Sequence, residues 1–122
     1  MKTIIAGILA HTLAASALAA PLQADIGCRP AAAGAAYDCL IKLAQAGTRA
    51  PVTAAQFTVS ADMPSMPMAH NIRPVTAVAT GEPGVYRARL VLEMPGRWNV
   101  KLRISSPVQD LIGKMVEFPE PR

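Results

Sequence analysis

Between Ala61 and Asn71 the chain reads ADMPSMPMAHN, which places Met63, Met66, Met68 and His70 within eleven residues. Three thioethers and an imidazole are soft to intermediate donors. Thioethers are poor ligands for hard cations and suit Cu(I), while imidazole accepts Cu(I), Cu(II) and zinc. Zinc would ask for more nitrogen or thiolate, and the one acid here, Asp62, points away from Met63 by strand parity. Copper is the ion that matches these donors. The same residues have a plainer use, because methionine fills irregular gaps and its sulfur packs well against rings such as Phe57 or Trp98. Residue type alone leaves both readings open. Beyond Met1, only Met115 stands apart from this stretch or from Trp98, beside which Met94 lies.

The elements that would position these donors are strands. Phe57, Val59, Ala61 and Met63 alternate with polar or small residues, which predicts a strand running to Met63. Pro64 and Pro67 cannot donate to a sheet ladder, so the segment beyond Met63 is an edge or loop, with extended backbone its easiest conformation. In an extended chain Met66, Met68 and His70 project to one side within about 14 Å. Downstream, VYRARLVLEMPGRWNVKLRI predicts a hairpin. Tyr86, Ala88, Leu90, Leu92 and Met94 share one face, as do Trp98, Val100, Leu102 and Ile104. Both faces reach one core only if the loop has an odd length. With a three-residue loop Met94 lies opposite Trp98 at the end of the hairpin, where a core opens to solvent. The other face would carry Arg87, Arg89, Lys101 and Arg103, with Arg89 facing Arg103. Such a face is either solvated or a docking surface for an acidic partner or anionic headgroups.

The wider chain fits a small exported β domain. Residues 1–19 read as a signal peptide: Lys2, an apolar run, then Ala17-Leu18-Ala19, with cleavage after Ala19. The apolar run is short for a membrane span, and no later stretch could form one. Losing Lys2 takes the formal charge from +4 to +3, too mild to imply nucleic acid. Cys28 and Cys39 fit an oxidising compartment, and a disulfide between them would hold the Ala-, Gly- and Pro-rich residues 20–36, expected as a flexible N-terminal arm. Thiolate metal ligation is the other use of two cysteines, but their ten-residue gap matches no compact ligand spacing. From residue 37 to 122 short alternating runs bounded by Pro, Gly or Ser predict an all-β, immunoglobulin-like sandwich of six or seven strands, with at most a helical turn near VQDLIG. The expected strands are YDCLIKLA, AAQFTVSA, VTAVAT, GVYRARLVLEM, RWNVKLRIS and GKMVEF.

MPSMPMAHN followed by GEPGVYRARLVLEMPGRWNVKL resembles the YtkA-like/FixH-like family of small exported or membrane-anchored β-sandwich domains. The shared pattern is a Met-Pro-rich segment ending in His-Asn, then Pro-Gly-x-Tyr, then Met-x-Gly-x-Trp before another strand, over roughly residues 50–105. The resemblance implies copper handling or cytochrome oxidase assembly, with Met66, Met68 and His70 as first metal ligands, Met63 and Met94 as additions, and Trp98 at the family's Gly-x-Trp position. In chemistry, though not in sequence order, the Met/His/Trp set is similar to small periplasmic Cu(I) chaperones of the CusF type, where an aromatic face covers the ion. The paired cysteines, and the expectation that no anchor remains once the leader is cleaved, depart from the family pattern. The expectation is a periplasmic copper-binding protein whose partner donates or receives copper. The alternative is a metal-free interaction module docking through the basic face. With one histidine beyond the leader and no nucleophile–base pair or paired acids in a motif, no enzyme is expected.

Overall fold

The computed structural model describes residues 21–31, 34–66 and 68–120, together with Gly7; the signal-peptide reading and Pro67 lie outside them. Among the described residues eight strands and no helix form two antiparallel four-stranded sheets. These are β1 (Leu22–Pro30), β2 (Ala36–Gln45), β3 (Gln56–Asp62), β4 (Val75–Thr76), β5 (Val78–Ala79), β6 (Val85–Val91), β7 (Gly96–Ser106) and β8 (Asp110–Phe118). One sheet runs β1-β2-β6-β5 and the other β4-β3-β7-β8. No helix among these residues is long and apolar enough to cross a membrane.

Period-two alternation builds the core. Tyr37, Cys39, Ile41 and Leu43 of β2 and Tyr86, Ala88 and Leu90 of β6 face Phe57, Val59 and Ala61 of β3 and Trp98, Val100, Leu102 and Ile104 of β7, all buried. Two aromatic pairs lock the sheets edge to face, Tyr37 with Phe118 at 5.0 Å and Phe57 with Tyr86 at 4.9 Å between centroids. Each tyrosine hydroxyl finds a backbone partner, as a buried O–H must. Tyr37 donates to the Pro119 carbonyl, and Tyr86 donates to Val52 while accepting from the Ala55 N–H.

Four expectations are corrected. Residues 22–30 are not a loose arm but β1, paired with β2 along its whole length. Ala24, Ile26 and Cys28 supply an inward face that its Gly and Pro content conceals. Cys28 and Cys39 are direct cross-strand partners joined by a disulfide. VTAVAT is two strands: Val75–Thr76 joins β3, and after Ala77 the chain changes sheet so that Val78–Ala79 joins β6. The VQDLIG segment makes no helical turn and instead enters β8, paired with the long β7.

The fourth correction matters most. β6 and β7 form no hairpin, because they belong to opposite sheets. Leu92–Pro95 crosses from one sheet to the other; four extended residues reach about 13 Å and packed sheets lie about 10 Å apart. The parity argument required only that both apolar faces meet one core, and strands on facing sheets satisfy it as well as neighbours do. Met94 therefore does not pair with Trp98. Arg87 and Arg89 lie on the outer face of one sheet, Lys101 and Arg103 on the outer face of the other. Arg89 pairs with Asp38 and Lys101 with Asp62, so the four-residue basic face does not exist as one surface.

Candidate functional site: the Met/His loop

β3 ends at Asp62, and Met63, only 6% exposed, is the last residue to point into the core. From there the chain makes a closed loop rather than an extended edge. The Met66 N–H donates to the Met63 carbonyl at 2.9 Å, closing a turn with Pro64 in its second position, where proline's fixed φ is favoured. The Met66 carbonyl accepts from both Ala69 N–H (3.2 Å) and His70 N–H (3.0 Å), forming a second turn. The loop is shut by the Met63 N–H to His70 carbonyl bond at 3.0 Å, and next to it by the Asp62–Asn71 bridge and the Ile72 N–H to Ala61 carbonyl bond. Pro64, which cannot extend the ladder, turns the chain back on itself. The expectation of three donors in line on one extended side is replaced by two stacked turns.

These turns deliver His70 to the crossing between sheets. Its Nδ1 lies 2.8 Å from Glu93 Oε2, and its ring meets Trp98 at 69° with centroids 6.2 Å apart. An ionised carboxylate only accepts hydrogen bonds, so in this contact Nδ1 is the donor, and in the neutral imidazole that leaves the lone pair on Nε2. A histidine ligand is commonly oriented by a carboxylate on its other nitrogen in this way. Trp98 is fully buried and donates its Nε1–H to the Met94 carbonyl at 3.2 Å. It seats the His70 ring and tethers the crossing loop; its face is not offered to a surface ion. A Cβ at Gly96 would sit 3.5 Å from the Met63 methyl carbon, which places Met63 beneath the same corner.

The structure thus gathers Met63, His70, Met94 and Trp98 at one end of the sandwich, with Met66 at the hinge of the two turns. Met68 points almost wholly into solvent, 92% exposed, while Met66 and Met94 are half-exposed at 43% and 38%. Exposed thioethers at a loop are unusual for residues whose ordinary place is inside. Met115 lies elsewhere, on the outer face of β8. Glu93 is the residue that sequence reasoning missed. Alternation assigns it to a strand's solvent face, and only the crossing of Leu92–Pro95 between sheets brings it to His70. Among the described residues no three His, Cys, Asp or Glu side chains converge on a possible metal position.

The model of the family described as YtkA-like matches residues 22–103. That range begins at β1, so the strand expected as an arm is part of the family domain. Neither curated proteins nor solved structures gave a match to the chain. With two-thirds of its length matched, from the first strand through most of β7, the chain belongs to the YtkA-like family.

Proposed function

We propose that this YtkA-like domain binds copper as Cu(I) at the Met/His corner and passes it to a partner outside the cytoplasm, acting by binding rather than catalysis. The observation that supports the reading is the His70 Nδ1–Glu93 contact on a loop that also carries the exposed Met66 and Met68, because a carboxylate on Nδ1 turns Nε2 toward other donors. His70 Nε2 and the Met66 sulfur are the central ligands. Met68 and Met94 are solvent-side donors that can swing toward the ion, and Met63 closes the corner from within. Thioether and imidazole donors of this kind favour a soft ion, and exchangeable thioethers on a surface loop suit transfer better than storage. The periplasm, reached by cleavage after Ala19, is the compartment that fits the disulfide.

Anaerobic titration against a chromophoric Cu(I) chelator tests the proposal, with X-ray absorption to count sulfur and nitrogen donors. The expected result is affinity tighter than micromolar that His70→Ala and Met66→Leu/Met68→Leu each weaken, with mixed sulfur–nitrogen coordination. The methionine double variant should not alter the fold, since Met66 and Met68 leave the core untouched. Binding no tighter than micromolar, or binding indifferent to these substitutions, would refute it.

A further inference from the structure

The outer face of the β1-β2-β6-β5 sheet carries a feature that the Met/His loop does not use. Along one cross-strand row Arg29, Asp38 and Arg89 lie side by side, and in the next row Leu40, Arg87 and Val78 do the same. Arg89 holds Asp38 through Nε at 2.9 Å and Nη2 at 3.5 Å. The hydrogen bond from Arg89, followed after an opposing burial effect by the charges of Arg89, Arg29 and Arg87, keeps the Asp38 carboxyl below its ordinary value. Arg29 and Arg87 make no salt bridge among the described residues. Three guanidinium groups therefore surround one carboxylate, leaving positive charge uncompensated.

The same face has a groove and an open edge. A cavity of about 410 Å3 runs along the sheet edge between β6 and the β4–β5 crossover, lined by Val75, Thr76, Val78 and Ala88, with Arg87, Arg89 and the Asp38 carboxylate that Arg89 holds at its rim. β5 pairs with β6 only through Val78–Arg87 and Ala79–Tyr86, so among the described residues Ala88–Val91 is paired with no strand on that side, although β4 of the other sheet packs near β6. An unpaired strand edge is a template for an incoming strand. Leu40, Val78 and Val91 are exposed beside it. Protecting an edge from aggregation would explain a charge on β6, but not a third arginine recruited from β1 nor a groove with an apolar lining.

We infer that this groove docks an extended, acidic segment of a partner protein, which adds to the free edge of β6, sets apolar side chains inward against Val75 and Ala88, and turns carboxylates outward to Arg87 and to the surplus positive charge that Arg29 adds to the face. Charge complementarity selects the occupant: guanidinium forks pair carboxylates with two parallel hydrogen bonds, and alternate residues of a strand present acid and apolar groups to opposite sides. The inference stands on the sheet face alone and holds whether or not the Met/His loop binds copper.

The test is an NMR titration of the 15N-labelled chain from Ala20 onward. The probe is an end-blocked peptide alternating Glu and Val, with a Lys/Val peptide and vesicles containing phosphatidylglycerol as comparison arms. The Glu/Val peptide is expected to give saturable amide shifts at Asp38, Val75–Val78 and Ala88–Val91. Arg29→Glu/Arg87→Glu, which spares the Arg89–Asp38 pair, should weaken binding by about tenfold or more. Arg103→Glu on the opposite face should leave it unchanged. Absence of saturable shifts, equal response to the Lys/Val peptide, indifference to the reversal, or a response to vesicles only would each overturn the inference.

Discussion

Removing the Glu93 carboxylate gives the sharpest test of how the corner is built. The contact from His70 Nδ1 is 2.8 Å long, with the imidazole 20% and the carboxylate 65% exposed. A hydrogen bond to a charged group contributes roughly 1.5–3 kcal/mol when water is excluded, and exposure of Glu93 reduces this to about 1 kcal/mol. That is roughly a fivefold bias in an equilibrium, here the one between the two imidazole tautomers. In the metal-free protein at alkaline pH, two-bond 1H–15N correlations should show the His70 ratio of Nδ1–H to Nε2–H raised by that factor over that of a free imidazole side chain, which prefers Nε2–H. Glu93→Ala should shift His70 toward Nε2–H by that factor, whereas Glu93→Gln, which keeps an accepting oxygen, should largely preserve Nδ1–H. If copper binds at Nε2, Glu93→Ala should also cost about tenfold in Cu(I) affinity, the lower end of the range for carboxylates that orient histidine ligands. A wild-type tautomer ratio no different from that of a free imidazole side chain, or one unmoved by Glu93→Ala, would refute the reasoning, whatever the copper result.

Three further outcomes bear on the frame that holds the site. Cys28 and Cys39 close a loop with a sequence separation of 11, so Cys28→Ala/Cys39→Ala should lower stability by about 3 kcal/mol in urea unfolding; a loss well below 1 kcal/mol would mean the β1–β2 ladder alone holds the strand. Gly84 has φ +74°, and a Cβ there would meet Pro51 Cβ at 2.7 Å and the Leu43 carbonyl oxygen at 2.9 Å. Gly84→Ala should therefore destabilise by about 2–3 kcal/mol, seen as a lowered thermal midpoint. Asp38 has its pKa lowered by Arg89. A depressed carboxyl stabilises the fold above its unfolded pKa and loses that contribution as pH falls through the folded value, so the acid limb below about pH 4 should be shallower in Asp38→Asn than in the wild type.

Alternating apolar residues were enough to announce the strands from Tyr37 onward, the all-β class and the placement of Phe57, Val59, Trp98 and Leu102 in one core. β1 stayed hidden because Gly27 and Pro30 argue against a strand, and only nine residues of pairing with β2 outweigh that local preference. Strand parity showed that the faces of β6 and β7 share a core but could not say whether they do so as neighbours or across it, since both arrangements bury the same side chains. That single ambiguity carried the erroneous hairpin, the undivided basic face and the mispairing of Arg89 with it.

For the candidate site, the donor set was legible because thioether and imidazole chemistry is a property of residue type. Pro64 and Pro67 likewise announced that the methionine stretch leaves the ladder, although not that it closes into turns. Residue order alone therefore determined that the chain makes a sandwich and that it belongs to the YtkA-like family, and it raised the Met/His donors as an expectation. Only the tertiary structure decided that Glu93 meets His70, that the buried Trp98 ring lies edge to face with the imidazole, and that Arg29 joins Arg87 and Arg89 on one sheet face. Those contacts join residues remote in sequence, and they depend on which sheet each strand enters.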